Sequence, residues 1–154
     1  MNFIEAIEAL FELATHNPLQ QLLMVDIGLV DEILAQKIKE NTGFEVRDYT
    51  ISMDNYGVKH ILNRHTDKNV EDSRNQIVVQ KTDFQLLREV IYEADEIIDA
   101  GKTSRNQNGA ILFQKQIDNL YVVILEIRVV SGKKKVLYKK NRLVLQSLRI
   151  IKTP

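Results

Sequence analysis

The sequence predicts an α+β fold in which N-terminal helices are followed by a four-stranded antiparallel β-sheet. Two observations carry this prediction. Apolar residues recur at helical spacing through much of the chain before Gly101, whereas the period changes to two from Ala110 onwards. Helices first and antiparallel strands last is the order typical of an α+β domain. A chain of 154 residues is long enough for one domain with a sizeable core.

Two helices are predicted before residue 44. The apolar residues of "NFIEAIEALFEL" recur at helical spacing, and this helix ends before Pro18 because the residue preceding a proline disfavours helix. An apolar stretch, "LQQLLMVDIG", follows and ends at Gly28. The clearest helix is "LVDEILAQKIKENTG", in which Asp31 lies near the N-terminus and Gly43 is suited to the C-cap.

The pattern is less regular between residues 44 and 101. "FEVRDYTIS" alternates and predicts a short strand or an extended arm. "DNYGVKHILNRH" predicts a short helix with Asp54 or Asn55 as its N-cap, and "TDKNVEDSRNQ" predicts a polar loop. After a brief extended piece, Thr82 or Asp83 is expected to cap a further helix, and Gly101 closes this region.

Four strands are predicted from Ala110 onwards. Their sequences are "AILFQKQI", "NLYVVILEIRVV", "KKKVLYKK" and "RLVLQSLRII", and the intervening "DN", "SGK" and "KN" are hairpin signals. The lysines that begin the third strand are expected to lie on a solvated edge, where charge guards against pairing with another chain.

The net charge of zero hides a strong asymmetry along the chain. Residues 1–100 hold 9 Lys and Arg against 19 Asp and Glu, whereas residues 101–154 hold 12 against 2. A basic C-terminal part is typical of a protein that binds a polyanion. It is equally compatible with acidic helices that neutralise a basic sheet within one fold, and the sequence leaves both interpretations open.

The composition argues against several classes of protein and site. Without cysteine there is no disulfide framework, no thiolate zinc site and no thiol nucleophile. The chain has no phosphate-binding glycine loop, nucleophile elbow or GxGxxG turn, which argues against ATP-driven and hydride chemistry. The N-terminus lacks the basic region of a secretory signal, and no apolar run approaches the ~18 residues that span a bilayer.

The segment "YGVKHILNRHTDKN" gives the strongest indication of a functional site. His60 and Arg64 are four residues apart and therefore project from the same helix face. His65 lies about 140° around the helix from His60, so the two imidazoles can share a site only if the helix ends there. Histidine exchanges protons near neutral pH, and arginine offers a planar, permanent charge suited to phosphate oxygens.

A structural interpretation of the same segment is also open. His60 would then be partly buried against a backbone carbonyl, with Arg64 and His65 on a solvated face. His16, in "ATHNP", is expected at a loop or helix end rather than in a catalytic role. No third histidine or carboxylate completes a recognisable zinc motif with His60 and His65, so no metal site is predicted.

The last strands carry further candidates. Alternation places Glu126 and Arg128 on one face, at the end of an otherwise apolar strand, which suggests a sheet face that opens into a cleft. In the last strand, Ser147 is expected to share a face with Leu145 and Arg149.

The order of these segments resembles a known group of nucleases. "LVDEILAQKIKENTGFEVRDYTISMDNYGVKHILNRH", "TDFQLLREVIYEADEI", "NLYVVILEIRV" and "LVLQSLRI" look like the phage-borne branch of the Barnase–EndoU–colicin–RelE-like (BECR) nuclease group. Its members occur in phage head-associated proteins and bacterial polymorphic toxins. The resemblance implies a nuclease domain at residues 28–154, and residues 1–27 are then an N-terminal helical segment for packing or partner binding.

The resemblance also implies roles for individual residues. The helical histidine motif of the group falls on "HILNRH", and a hydroxyl residue followed by a basic one falls in the last strand. Tyr138, in the third predicted strand, is a further candidate for substrate binding. The expected catalytic residues are His60, His65 and Ser147, and the expected substrate-binding residues are Arg64, Arg128, Tyr138 and Arg149.

The implied activity is that of a metal-independent, toxin-like endoribonuclease without a cofactor, in which the 2′-hydroxyl of RNA attacks the adjacent phosphate. RNA, including tRNA, is the expected partner, together with an immunity or inhibitor protein, and no membrane association is expected. The protein would act in the cytoplasm, or as a delivered toxin domain in the cytoplasm of a target cell. The alternative is a non-catalytic phage- or toxin-associated domain that binds nucleic acid or protein.

Overall fold

The computed structural model describes residues 2–65, 67–104, 106–130 and 140–154. The helices are α1 (Phe3–Thr15), α2 (Glu32–Thr42), α3 (Asn55–His65), α4 (Lys68–Ser73), a 3₁₀-helix (Lys81–Leu86) and α5 (Leu87–Tyr92). The strands are β1 (Met24–Leu29), β2 (Thr50–Asp54), β3 (Gln76–Ile77), β4 (Glu96–Lys102), β5 (Gly109–Ile117), β6 (Asn119–Arg128) and β7 (Arg142–Ile151). None of the helices in these ranges has the length and apolar character needed to cross a membrane.

One mixed sheet organises the domain. Its strand order is β1-β2-β7-β6-β5-β4, and β3 pairs separately with β7. The pairing of β2 with β7 is parallel and joins residues 50–52 to residues 142–144, whereas the other ladders are antiparallel. The fold is therefore α+β with helices and strands interleaved along the chain, and β7 lies at the centre of the sheet.

Helix α3 lies against β7 between the two stretches of that strand that pair with β2 and with β3. β7 pairs with β2 at residues 142–144 and with β3 at residues 150–151, and Gly57 of α3 approaches Leu145, which lies between these two stretches. The approach is close, because a Cβ atom at Gly57 would stand 2.7 Å from the carbonyl oxygen of Leu145. Glycine at position 57 therefore allows α3 to reach the sheet.

Local signals explain where α3 begins. Asp54 ends β2, and its carboxylate accepts a hydrogen bond from the Gly57 amide at 2.7 Å, which caps the first turn as predicted. The side chain of Asn55 accepts a hydrogen bond from the Leu23 amide at 2.8 Å and so ties the helix to the segment before β1. The helix ends at His65, which is the condition under which the two histidines can approach each other.

One buried cluster includes residues from both ends of the chain. Ile7 and Leu10 of α1 belong to the same core as Phe113 of β5 and Leu148 of β7. β1 begins before residue 28 and pairs with β2 as an edge strand. The described residues before position 28 thus add a core helix and the start of a strand to the domain that follows.

The α2 prediction is confirmed at both ends. The Asp31 carboxylate accepts a hydrogen bond from the Leu34 amide at 2.8 Å, which is the N-cap geometry. Gly43 ends the helix in the left-handed conformation, with φ of 82°, which costs glycine least among the residues. The predicted helix-end position of His16 is also confirmed, because His16 is the C-cap of α1.

The predicted four-stranded antiparallel sheet does not match the structure in strand number or direction. The described residues also place β1, β2, β3 and β4 in the sheet, and β2 runs parallel to β7. β1 and β4 are edge strands, and in each of them a single residue is buried, so neither shows the alternation that predicts a strand. The predicted strand "KKKVLYKK" falls almost entirely within residues 131–139, outside the described residues.

Two predictions between residues 66 and 101 differ from the structure, the first entirely and the second in part. The predicted polar loop contains α4, whose N-cap Asp67 accepts hydrogen bonds from two backbone amides. The helix predicted after Thr82 or Asp83 is confirmed in part, because α5 carries the predicted Leu87, Val90 and Ile91, but a 3₁₀-helix precedes it and β4 follows it. The cap of the 3₁₀-helix is Gln80 rather than Thr82 or Asp83, and the Asp83 carboxylate accepts a hydrogen bond from the Gln80 amide at 2.7 Å.

Candidate active site

A cavity of about 560 Å³ opens between α3 and the C-terminal strands. One wall is formed by α3 and by the residues that follow α4, and the other by the end of β4 and the loop after it. The floor is formed by β5, β6 and β7, on the side of the sheet opposite the core residues of those strands. We call this the basic cavity because of the side chains that line it: His60, Arg64, His65, Arg74, Lys102 and Arg149.

The structure brings five of the seven predicted site residues to this one cavity. They are His60, Arg64 and His65 from α3, and Ser147 and Arg149 from β7. Arg128 lines a second cavity that adjoins the first. Tyr138 lies among residues 131–139, outside the described residues.

α3 carries both imidazoles, and the two rings lie in different environments. His60 and Arg64 are exposed on one face of the helix, one turn apart. His65, at the last position, has only 8% of its surface exposed, yet it also lines the basic cavity. The end of the helix thus places one accessible and one enclosed imidazole at the same cavity.

A buried carboxylate holds His65 in place. Glu71 of α4 is fully buried, and its Oε2 atom lies 3.2 Å from Nδ1 of His65. The Arg74 guanidinium lies 3.6 Å from the other carboxylate oxygen, so the negative charge of Glu71 has two partners. A carboxylate on Nδ1 assigns the proton to that nitrogen and leaves the lone pair on Nε2. Glu71 therefore fixes both the orientation and the tautomer of the His65 ring.

A β-bulge brings two neighbouring polar residues of β7 to the cavity. In the ladder with β6, Ile124 pairs with Ser147 whereas Leu125 pairs with Leu145. The extra residue is Gln146, and it interrupts the alternation, so that Gln146 and Ser147 both line the basic cavity while Leu145 is buried in the core. The expectation that Ser147 shares a face with Leu145 is wrong for this reason.

The cavity has a strongly positive lining. Arg64, Arg74, Lys102 and Arg149 contribute permanent charges, and its described lining contains no Asp or Glu. A concave surface of one charge sign focuses the field and concentrates ions of the opposite sign. The lining is therefore suited to an anion such as a phosphodiester.

Unsatisfied polar atoms cluster at the same place. Within the described residues, three buried side-chain atoms have no hydrogen-bond partner: Glu71 Oε1, Gln76 Oε1 and Arg149 Nε. Gln76 and Arg149 line the basic cavity, and Glu71 contacts its His65 wall. Buried polar atoms without partners are uncommon in native proteins and are often found at functional sites.

The second cavity has a volume of about 510 Å³ and continues the first. The two share His60, Thr103, Ser104 and Gln146, so they form one cleft with His60 at the junction. We call this part the side cavity. It extends past the N-terminal turn of α3 to Arg128 at the end of β6.

Arg128 is held by carboxylates in the side cavity. Its Nε atom donates a hydrogen bond to Glu126 at 2.7 Å, and its Nη1 atom lies 3.7 Å from Asp54. Glu126 is fully buried and also accepts hydrogen bonds from Asn106 in the loop after β4. The charge of Arg128 is thus largely balanced by carboxylates, and Glu126 ties β6 to that loop.

The hydrogen bonds to Glu126 predict a pH-dependent stability. Burial alone raises the pKa of Glu126, but hydrogen bonds from Thr103, Arg128 and Asn106 outweigh burial and hold the pKa below its ordinary value of 4.5. Because the folded-state pKa is the lower one, Glu126 stabilises the fold above about pH 4.5, and this contribution is lost as the pH falls further. We expect Glu126→Gln to be less stable than wild type near neutral pH and to lose less stability on acidification.

Urea unfolding midpoints across this pH range measure the effect. Glu40→Gln is the matched control, because Glu40 lies on the exposed surface of α2. Parallel pH curves for wild type and Glu126→Gln would contradict the assignment.

Sequence reasoning missed Glu71 and Arg74 because their segment was predicted to be a loop. Asp67 followed by "KNVEDS" is an N-cap signal, and a helix predicted there would have placed Glu71 one turn inside it, near His65. Lys102 was missed because nothing in the sequence places the end of β4 across from α3. Gln146 was missed because a bulge has no clear sequence signal.

These groups together define a class of site. Two imidazoles can transfer protons, fixed cations can bind a phosphodiester, and a hydroxyl lies beside them, which is the equipment of a nuclease-type site. Across the described residues, no group of three or more His, Asp or Glu side chains is arranged to hold a metal ion. The model of the family described as phage-Barnase-EndoU-ColicinE5/D-RelE like nuclease3 matches residues 28–153, and the chain belongs to this family. Neither a curated protein nor a solved structure matches the chain.

Proposed function

We propose that this member of a nuclease family is a toxin-like endoribonuclease that cleaves RNA without a metal ion, by attack of a 2′-hydroxyl on the adjacent phosphate. The observation that carries the proposal is the convergence of His60, His65 and Arg64 on one positive cavity together with Ser147. Family membership supports the nuclease part of this proposal. The choice of RNA rests on the role proposed for the proton-transfer groups, because the 2′-hydroxyl on which they would act is present in RNA and absent from DNA.

His65 is the proposed general base. Its Nδ1 atom is engaged by Glu71, so Nε2 carries the lone pair that accepts the proton of the 2′-hydroxyl. The oxygen then forms a bond to phosphorus, which gives a five-coordinate phosphorane. The low exposure of His65 supports this role, because a ring held by its surroundings keeps its geometry during the reaction.

His60 is the proposed general acid. It lies at the junction of the two cavities and is exposed, so its ring can take up a proton from solvent between turnovers. As the bond from phosphorus to the 5′-oxygen breaks, His60 donates a proton to the departing oxygen. The products are a 2′,3′-cyclic phosphate and a 5′-hydroxyl. After the reaction His65 carries the proton from the 2′-hydroxyl, and His60 has lost its proton to the 5′-oxygen.

The cations are proposed to stabilise the phosphorane. Arg64 projects from the same face as His60, and Arg149 lines the cavity with a buried Nε atom that has no partner in the described residues. Guanidinium groups placed where charge develops lower the barrier without a metal ion. Ser147 is positioned to orient a phosphate oxygen. Arg128 is the weaker candidate for this role because Glu126 and Asp54 balance its charge.

The direct test is an incubation of the purified protein with total RNA and tRNA in the presence of EDTA. We expect discrete fragments that end in cyclic phosphates, and we expect no cleavage at a site whose 2′-hydroxyl is replaced by hydrogen. Cleavage that requires an added divalent cation, or products with 3′-hydroxyl ends, would contradict the proposal.

A salt titration distinguishes the non-catalytic alternative. A protein that only binds nucleic acid through this cavity would show affinity that falls steeply with salt concentration and would form no product. Salt-dependent affinity and product formation, measured on the same RNA preparation, distinguish a binding protein from a nuclease.

A further inference from the structure

The two parts of the cleft differ in chemistry. The basic cavity carries four permanent cations, of which Arg74 pairs with Glu71, whereas the cation of the side cavity, Arg128, lies against two carboxylates. The side cavity instead exposes apolar surface: Leu22 has 60% and Tyr56 44% of its surface exposed, and both line it. Balanced charge and exposed apolar side chains make it a poor site for phosphate and a suitable one for a neutral planar group.

Tyr56 is held in a fixed orientation although it is exposed. Its hydroxyl donates a hydrogen bond to the backbone carbonyl of Gln20 at 2.9 Å. A ring anchored at both ends, by the helix backbone and by this hydrogen bond, loses little conformational entropy when a ligand stacks on it. Tyr56 is therefore prepared as a stacking surface.

The position of this ring relative to His60 matches the layout of a nucleotide. Tyr56 and His60 are four residues apart on α3, which places their side chains next to each other on one face. Arg64 follows one turn later. A ligand whose phosphate lies against His60 and Arg64 would thus place the group attached to the adjoining sugar beside Tyr56.

We propose that the side cavity is a subsite for an unpaired nucleobase that stacks on Tyr56, next to the phosphate bound in the basic cavity. This inference rests on the proposed function for the identity of the phosphate-bearing ligand. Asp54 and Asn106 line the same cavity and offer polar groups to the edge of the base. The substrate is accordingly single-stranded at the cleavage site, because a base in a duplex cannot reach the ring.

Binding of an RNA analogue that cannot be cleaved tests the subsite separately from catalysis. The probe is a short, fluorescently labelled single strand with every 2′-hydroxyl methylated, and its Kd is measured by fluorescence anisotropy. We expect Tyr56→Ala to weaken binding about tenfold or more, which corresponds to the usual contribution of one base stacked on an aromatic side chain. Tyr56→Phe keeps the ring and should recover most of that loss.

Abasic versions of the probe identify the contact. With the base removed at each position in turn, one position should weaken wild-type binding by a similar factor, and Tyr56→Ala should add no further loss there. Ile33→Ala is the control, because Ile33 is 69% exposed on α2 and outside both cavities. Wild-type affinity in Tyr56→Ala, or an equal effect of Tyr56→Ala on every abasic probe, would overturn the subsite even if cleavage is observed. Failure of cleavage with these binding effects intact would overturn only the catalytic proposal.

Discussion

Replacement of His60 or His65 by alanine is expected to reduce the rate of RNA cleavage by about 10²–10⁴-fold, which is the usual contribution of a positioned general acid or base. The two variants should differ in stability. His60 is exposed, so His60→Ala should fold like wild type. His65 is enclosed and bonded to Glu71, so His65→Ala leaves a buried carboxylate with one partner fewer and should cost about 1–3 kcal/mol.

A third variant separates catalysis from stability at His65. Asparagine can place an amide N–H near the position of Nδ1 and keep a hydrogen bond to Glu71, but it transfers no proton. We therefore expect His65→Asn to fold close to wild type and to be as slow as His65→Ala. Single-turnover cleavage of a labelled RNA gives the rates, with His16→Ala as the matched control because His16 caps α1 outside both cavities. A wild-type rate in His65→Asn would exclude His65 as the base.

Glu71→Gln is expected to reduce kcat by about 10–100-fold, by analogy with residues that orient a functional histidine. Glutamine can still accept a hydrogen bond from Nδ1 of His65, but it lacks the charge that stabilises the imidazolium formed when His65 takes up a proton. The effect should appear in kcat and leave KM for RNA nearly unchanged, because Glu71 does not line the cavity.

The neighbouring carboxylate provides the control for Glu71. Asp72 is the next residue of α4, is partly exposed and pairs with Lys152 rather than with His65. Asp72→Asn should therefore keep the wild-type kcat. If Glu71→Gln raised KM and left kcat unchanged, Glu71 would act on the shape of the cavity and not on the imidazole.

The parts of the fold that sequence predicts are those in which local signals and burial agree. α2 has a capping Asp31 and a terminal Gly43, and both signals depend on the backbone of a few adjacent residues. β5, β6 and β7 are rich in apolar residues because each of them buries several side chains. Elements of this kind carry their structure in a short window of sequence.

The elements that were missed depend on distant partners. β1 and β4 are edge strands with little burial, so pairing with a neighbour and not their own pattern makes them strands. The parallel contact of β2 with β7 joins segments about ninety residues apart, and no local signal specifies it. Patterns within short windows of sequence therefore predict the central strands but not the edge strands.

The candidate site was predictable where its residues share one helix. Helical geometry places His60 and Arg64 on one face, and His65 can join them because α3 ends at this residue. Ser147 and Arg149 were named through the resemblance to a nuclease group, which the family match confirms. Their arrival at the same cavity depends on Gly57, which lets α3 approach β7, and on the bulge at Gln146.

The cleavage rate of the double variant His60→Ala/His65→Ala in EDTA tests the proposed mechanism most directly, measured beside wild type and His16→Ala on the same single-stranded RNA. Under this mechanism wild type and His16→Ala release cyclic-phosphate fragments, while the double variant, still folded by circular dichroism, releases none above background. Cyclic-phosphate fragments from the double variant at the wild-type rate would contradict it, because the two imidazoles at this cavity would then have no part in the reaction.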